Sequence, residues 1–464
     1  MNKSNYLLPQ SATIFEALEK IDLNSDGIVF VCDNDNRIKG IATDGDIRAS
    51  ILNNVSLSDS IELVMNKKFV WQRDTDSREA ILKMLDSQIK VIPILDQDMR
   101  LVEIVTPYDF PLKSVNNIFV RAKAPVRISF GGGGSDVTHY FKTNNGAVLN
   151  ATISLYCHAT LKPNDTKNII IDSLDLDDIT KYDNIDDFLS VSDKFDLFRS
   201  VIRLIKPSFG FHLSVNSDFP KGSGLGGSSS VIAAVLGCFN ELRRDKWSDH
   251  EMAEFAFQAE RIYMKISGGW QDQYATVFGG FNFIEFKNNS NLIFPLRLRK
   301  KTTQELQENL VLFSVSSGRN SGIIHDDQKM KIQQKDIKPF VKKSVYHCHK
   351  MKEYLLRDEL NNFGDGLNLA WKLKRKFSDK ISNSHLDDIY SYAIDNGALG
   401  GKLLGAGGGG FFLFYVQPFK KNSFLKSMKT KGLEQTNFQF DYLGMQSWTK
   451  RLVKHKMSNL DKKS

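Results

Sequence analysis

Residues 220–230 read Pro-Lys-Gly-Ser-Gly-Leu-Gly-Gly-Ser-Ser-Ser, a run too rich in glycine to form a regular helix or strand. It lies between a strand-like stretch, Phe211 to Asn216, and a helix-like one, Val231 to Arg243. Glycine lets the backbone turn sharply and approach a ligand. The first main-chain N–H groups of the following helix then make a positive concavity, reinforced by the helix dipole. The local expectation is strand, anion-binding turn, helix. Two more glycine clusters, at 131–134 and 405–410, lie so far off along the chain that convergence on one site is a better reading than a glycine-rich linker.

Two common phosphate-binding patterns fit poorly. No lysine follows the last glycine, which argues against the Gly-x-x-x-x-Gly-Lys-Ser/Thr loop of P-loop NTPases. Gly222, Gly224 and Gly227 do make a Gly-x-Gly-x-x-Gly. A dinucleotide site, however, wants an acid at the end of the next strand, and the carboxylate at the expected distance, Glu241, still lies in the helical run.

At 464 residues the chain exceeds the size at which one hydrophobic core stops growing, so two or three domains are expected. No apolar stretch approaches the length of a membrane span, and Met1-Asn2-Lys3-Ser4-Asn5 does not open a secretory signal. The cytoplasm is the expected compartment, with no membrane partner. Cys32, Cys157, Cys238 and Cys348 show no paired spacing and read as reduced, mostly buried thiols. His347, Cys348 and His349 are adjacent in a helical-looking stretch, where neighbours point apart and cannot share one metal ion. The formal charge is +8, but Lys450 and then Arg451, Lys454, Lys456, Lys462 and Lys463 of a solvated basic tail, 451–464, carry much of it. No basic face with interleaved reader residues stands out, so nucleic acid is not an expected partner; phosphorylated small molecules suit the charge equally well.

The first part of the chain repeats. A shift of 63 positions aligns Glu16-Ala17 with Glu79-Ala80, Asp33 with Asp96, Asp35 with Asp98, Arg37 with Arg100, Thr43 with Thr106 and Asp46 with Asp109. Each copy reads as a helix (Ile14 to Ile21; Arg78 to Leu85), an apolar strand (Gly27 to Cys32; Lys90 to Leu95) and an Asp-x-Asp turn. A second strand ending in Thr-x-x-Asp and another helix complete it. This resembles a tandem pair of cystathionine-β-synthase-type (CBS) domains over residues 1–113. The resemblance implies clefts that hold an adenosine nucleotide, with Thr43, Asp46, Thr106 and Asp109 on its phosphate and ribose. Thr and Asp are also favoured helix caps in any protein, so capping stands beside nucleotide binding, and the two are compatible. Pro107, where the first copy has Asp44, is expected to alter one cleft. Pro111 to Asn117 reads as a short linker, with the boundary drawn at 114–118.

From Phe119 the texture changes to strands and helices punctuated by glycine. Ala124-Pro125-Val126-Arg127-Ile128-Ser129-Phe130, running into Gly131 to Gly134, Ser135 and Asp136, forms one motif. The loop at 220–230 forms a second, and Leu404-Gly405-Ala406-Gly407-Gly408-Gly409-Gly410-Phe411 a third. In this order the three resemble the motifs of the galactokinase–homoserine kinase–mevalonate kinase (GHMP) family, with Gly227 replacing the first Ser of its Gly-Leu-Gly-Ser-Ser signature. The resemblance covers residues 119 to about 450. It implies a chain of mixed class, α/β and α+β: a CBS pair followed by a two-lobed kinase, with an N-terminal lobe at 119–310 and a C-terminal lobe at 311–450.

The same resemblance implies ATP and Mg²⁺. ATP contacts fall on Pro220, Gly222, Ser223, Gly224, Leu225, Gly226, Gly227, Ser228 and Ser229. A helix expected from His250 to Ser267 carries Glu260, similar to the metal-ligating glutamate of the family. With the Ser228 hydroxyl it would offer Mg²⁺ the hard oxygen ligands that ion prefers. On composition alone Glu260 reads instead as a surface carboxylate beside Arg261. The Gly-x-x-Asp-Gln core of Gly268 to Tyr274 matches the segment that carries the catalytic aspartate of galactokinase-like members. This makes Asp272 the base for a sugar hydroxyl attacking the γ-phosphate. Arg127 matches the first-motif arginine that keeps this aspartate ionised, the alternative being a structural strand-end salt bridge.

The first motif differs from the Gly-Glu-His-Thr-Asp form of galactokinases and is similar to that of D-glycero-D-manno-heptose 7-phosphate kinases. So are Gly146 to Ile153, Phe278 to Phe283 and Gly400 to Leu404. That subgroup implies phosphorylation of the anomeric hydroxyl, giving the 1,7-bisphosphate. Asp136, with Gly133, Gly134, Gly407 and Gly408, is expected at the sugar, unless Asp136 is a helix cap. Arg319 and Lys402 are candidates to clamp a phosphate already on the substrate, or else solvated surface cations. A kinase of another sugar (fucose, galactose or a 6-deoxy-heptose) and a catalytically silent sensor are the competing readings. Retention of Ser228, Glu260 and Asp272 together argues against silence. The CBS pair is expected to adjust activity to nucleotide level or to join two subunits as a homodimer.

Overall fold

The computed structural model describes residues 3–73, 89–106, 118–288, 290–315, 324, 327, 330–331 and 337–451. The chain divides into two compact units, Met1–Ser114 and Val115–Ser464.

In the first unit the repeat is visible in the backbone. β1 (Leu7–Pro9) runs parallel to β2 (Ile28–Cys32), which pairs antiparallel with β3 (Ile38–Thr43). β4 (Gln72–Arg73), β5 (Ile92–Leu95) and β6 (Leu101–Val105) repeat that arrangement. The hairpins carry bulges at equivalent places, between Val31 and Cys32 and between Ile94 and Leu95. Their tips are tied alike: Asp33 accepts the main-chain N–H groups of Asp35 and Arg37, and Asp96 those of Asp98 and Arg100. The tips also meet, because Arg37 and Arg100 form an antiparallel bridge, pairing equivalent residues as a local two-fold axis does. Phe30, Cys32 and Ile38 of one copy share an apolar cluster with Leu95 and Ile104 of the other. The helix Ile14–Asn24 opens with a Thr13/Glu16 capping box and turns Ile14, Ala17 and Ile21 inward. The helix expected at Arg78 to Leu85, the linker, Pro107 and Asp109 lie outside the described residues.

The second unit is built on two long antiparallel strands, β7 (Ile118–Gly131) and β8 (Gly146–Asn164). The other edge of β8 pairs with β11 (Gly210–Ser217) along one half and with β12 (Phe281–Lys287) along the other. β9 (Ile169–Ser173) and β10 (Asp178–Tyr182) extend the sheet beyond β11, and β13 (Ser290–Pro295) extends it beyond β12. Burial along β7 alternates up to Lys123 and is then unbroken from Ala124 to Gly131. The strand thus passes from a half-exposed sheet into one covered on both faces, and Arg127 lies on the covered stretch. The helix Gly227–Glu241 is buried on nearly all sides.

A second antiparallel sheet has the order β15 (Ala398–Leu403), β16 (Phe411–Val416), β14 (Leu310–Ser314), β17 (Gln435–Thr436). Helices Lys338–Arg357, Leu360–Arg375, Ser384–Asp395 and Pro418–Thr430 accompany it. One continuous apolar core joins the two sheets.

Two expectations need correction. Residues up to 450 were assigned to the second lobe, yet β18 (Gln446–Arg451) pairs with β7 in the first sheet, satisfying the open edge from Ile118 to Lys123. The helix expected from His250 to Ser267 stops early. An α-helix spans Asp249–Phe257, one π-helical turn covers Gln258–Tyr263, and Lys265 takes a left-handed conformation (φ 57°) that no helix continues through. All four cysteines are buried and unpaired. The Nε2 atom of His347 lies 2.8 Å from the Gly366 carbonyl oxygen. Among the described residues, no helix is long and apolar enough to cross a membrane.

Candidate active site

All three glycine clusters line one cavity of about 630 Å³ in the second unit, a volume suited to small ligands. The second and third clusters touch backbone to backbone: a Cβ on Gly405 would lie 2.5 Å from the Gly224 Cα, so this approach requires glycine. The helix Gly227–Glu241 starts at the cavity from Gly226 in the left-handed conformation (φ 81°), with no side-chain cap. Its first N–H groups are therefore available to an anion.

Pro220, Gly222, Ser223, Gly224, Gly226, Gly227 and Ser228 line the cavity, as do Gly133, Gly134 and Gly407. Three residues expected at ligand do other work. Leu225 is fully buried, its carbonyl accepting from Arg127 N at 2.9 Å. Ser229 is buried and donates to Glu260, and Gly408 donates its N–H to Ile381 O at 2.8 Å. Arg319 lies outside the described residues.

Arg127 reaches from β7 to Asp272 in the first turn of the helix Gln271–Phe278. Nε meets Oδ1 at 2.8 Å and Nη2 meets Oδ2 at 2.7 Å, while Nη1 donates to the Gly224 carbonyl at 2.7 Å. This planar fork fixes both carboxylate oxygens and ties the aspartate to the glycine turn. Only 4% of the arginine side chain is exposed against 19% of the aspartate, so the carboxylate keeps the access to the cavity.

Asp136 is buried in the same wall and accepts N–H groups from Gly134 (3.0 Å) and Gln271 (3.3 Å). The latter is the first residue of the helix that carries Asp272, so the carboxylate faces that helix's positive end. Asp136 does not cap the helix Thr138–Phe141, whose N-cap position is Val137. Burial, and then the charge of Asp272, hold its carboxyl above the usual carboxylate range against the two N–H bonds. Gly269 is pressed on it so closely that a Cβ there would lie 1.8 Å from Asp136 Oδ2.

Glu260, read from composition as a surface residue, is buried: Oε2 accepts from Ser229 Oγ (2.7 Å) and Gln273 Nε2 (2.6 Å). Arg261 stands 3.5 Å from its other oxygen. The sequence pairs Glu260 with Ser228; in the structure Ser229 bonds to it, while Ser228 and Glu260 both face the cavity. Among the described residues no three His, Cys, Asp or Glu side chains gather into a metal cage. One carboxylate and one hydroxyl do fit Mg²⁺, which keeps waters and phosphate oxygens as most of its ligands.

Lys402 lies on β15, buried, with Nζ 2.7 Å from the Ser129 carbonyl oxygen. Sequence reasoning missed its neighbour Lys374, whose Nζ donates to the carbonyls of Leu403 (3.0 Å) and Gly405 (2.5 Å) on the same cavity wall. It also missed Gln271, buried on that wall with Oε1 lacking a partner among the described residues.

In the first unit Thr43 is the N-cap of the helix Asp44–Leu52 and Asp46 closes a capping box. Thr106 is buried just after β6.

Models of known families match three stretches: the GHMP kinases N terminal domain at residues 196–280, the GHMP kinases C terminal domain at 351–430, and a CBS domain at 1–53. Over 335 residues the chain is 38% identical to D-glycero-alpha-D-manno-heptose 7-phosphate kinase of Campylobacter jejuni, an alignment covering 71% of this chain and 98% of that protein. A solved structure from Campylobacter jejuni is 34% identical with a TM-score of 0.57, over 73% of this chain and all of the other. A D-glycero-D-manno-heptose 1-phosphate kinase from Bacteroides thetaiotaomicron is 29% identical with a TM-score of 0.59, over 71% of this chain and 98% of the other.

Proposed function

This chain belongs to the GHMP kinases, and on that premise we propose that it transfers the γ-phosphoryl group of ATP to the anomeric hydroxyl of D-glycero-D-manno-heptose 7-phosphate, giving the 1,7-bisphosphate and ADP. The observation that carries the reading is the Arg127–Asp272 fork held against Gly224, with the open N-terminus of the helix Gly227–Glu241 on the same cavity. This arrangement supports the reading, because in-line phosphoryl transfer requires a proton acceptor and a phosphate cradle at one place.

The glycine turn and the first N–H groups of the helix bind the phosphates of ATP. Asp272 accepts or orients the proton of the attacking hydroxyl, and Arg127 holds the carboxylate in register. Asp136 accepts hydrogen bonds from sugar hydroxyls, which restores some of the solvation its burial removes. Ser228 and Glu260 would hold Mg²⁺, which when bound with ATP offsets the phosphate charge. The choice of heptose 7-phosphate rests on the similar Campylobacter jejuni enzyme. We place the reaction in the cytoplasm. The N-terminal unit, with its CBS match and its local two-fold, adjusts the rate through a bound adenosine nucleotide or joins two subunits.

The test is ADP release by the full chain with Mg-ATP across heptose 7-phosphate, free heptose, mannose, galactose and fucose. Turnover confined to heptose 7-phosphate is expected. Turnover on another sugar keeps the chemistry and rejects the substrate, and silence on all of them rejects the kinase.

A further inference from the structure

Two ammonium groups of the cavity wall lack a counter-charge among the described residues. Lys374 and Lys402 donate only to main-chain carbonyls, those of Leu403 and Gly405 and that of Ser129, and neither meets a carboxylate among the described residues. The nearby Arg127 does not leave them one, because its fork already holds both oxygens of Asp272. Beside Lys402, the Ser129 hydroxyl is buried (4% exposed), lines the cavity and has no hydrogen-bond partner among the described residues. Lys402 is buried and Lys374 half-buried; an ammonium without counter-charge in such a place and an orphaned hydroxyl are costly features, and a ligand with two negative charges and several acceptor oxygens would satisfy all three groups together.

The geometry points to Lys374 and Lys402, with the Ser129 hydroxyl, as a phosphate-binding subsite of this cavity. The assignment deepens the proposed kinase function and rests on it. Two sources can supply the phosphate: the one already on the acceptor sugar, or the γ-phosphoryl in transit from ATP. The titratable and charged groups around the pair are Arg127 from β7, His347 and Cys348 from the helix Lys338–Arg357, and the lysines themselves. Burial, and then Arg127, pull the Lys402 ammonium down to about 7; burial, Lys402 and Arg127 lower that of Lys374. Without a ligand Lys402 therefore gives up its proton as pH rises above neutrality, Lys374 holds its own less firmly than an ordinary lysine, and an arriving phosphate must draw protons back.

Calorimetric titration of the full chain with inorganic phosphate, at pH 8 in two buffers of different ionisation enthalpy, reads that uptake directly. About one proton taken up per phosphate is expected, and binding without uptake, or no binding, overturns the proposal. Lys374→Gln and Lys402→Gln, checked for wild-type folding by circular dichroism and Tm, should each weaken phosphate roughly tenfold or more. Affinities unchanged in both would also overturn it. Two further titrations identify the source. A loss seen with heptose 7-phosphate but not with free heptose assigns the acceptor's phosphate. A loss seen with a non-hydrolysable ATP analogue but not with ADP assigns the transferred group. If the wild-type enzyme proves inactive on every sugar phosphate, the kinase reading fails while the inorganic phosphate titration still judges the lysines.

Discussion

Asp46 in the N-terminal unit and Asp136 in the kinase unit both lie near a helix N-terminus, yet they are in opposite states. Asp46 Oδ2 accepts the main-chain N–H of Thr43 at 2.9 Å and its hydroxyl at 2.6 Å, and Thr43 Oγ1 accepts Asp46 N–H in return. The pair completes itself within four residues. Asp136 is drawn from a different segment to the helix it faces, is buried, and has its carboxyl raised by burial and by the Asp272 charge. A carboxylate at a helix start does not mark a ligand site. Unused hydrogen-bonding capacity inside a cavity does.

The contrast can be broken at several points. The largest effect belongs to Asp272→Ala, which should lower kcat by roughly 10²- to 10⁴-fold with ATP affinity nearly unchanged; a normal rate would remove it as the base. Gly269→Ala comes next, since its Cβ displaces the Asp136 carboxylate. A shift of about 1 Å at such a group costs on the order of 10²-fold, here expected in the KM for the sugar. The pH profile of that KM is a gentler probe. A carboxyl held above its usual range becomes protonated, and loses acceptor strength, at a higher pH than an ordinary aspartate. Sugar binding should therefore weaken about tenfold per unit as pH falls below that point, and Asp136→Asn should flatten the acid limb. The smallest effect is Thr43→Ala, expected to cost about 1 kcal/mol in chemical denaturation with basal kcat unchanged. If the same variant also abolishes a rate response to AMP or ADP, the cap doubles as a nucleotide contact and the contrast between the two aspartates narrows.

The repeat was legible because its markers are chemical. Asp33 and Asp96 are needed to tie the same turn, and a single offset recovers them. The convergence of three glycine clusters was legible for the same reason, since only glycine permits the Gly224–Gly405 approach. What escaped depends on phase and on partners distant in sequence. Which of Ser228 and Ser229 meets Glu260 is a matter of about 100° around a helix axis, and no motif fixes that angle. Lys374 sits in the basic last turn of the helix Leu360–Arg375, where a lysine ordinarily reads as a solvated complement to the helix dipole. The early stop of the Asp249–Phe257 helix likewise follows from the π-helical turn and the buried bonds of Glu260, made to residues on two other helices.

The pairing of β18 with β7 has a consequence for how the enzyme is made. The strand that carries Arg127 emerges from the ribosome early in the kinase unit, and its edge from Ile118 to Lys123 must wait for residues 446–451, at the far end of the unit. During synthesis that edge is exposed backbone, able to recruit a strand from a neighbouring nascent chain. A chain truncated before Gln446 keeps the glycine clusters and Asp272, yet leaves the polysome with an adhesive border; its fate is set by chaperones rather than by its chemistry.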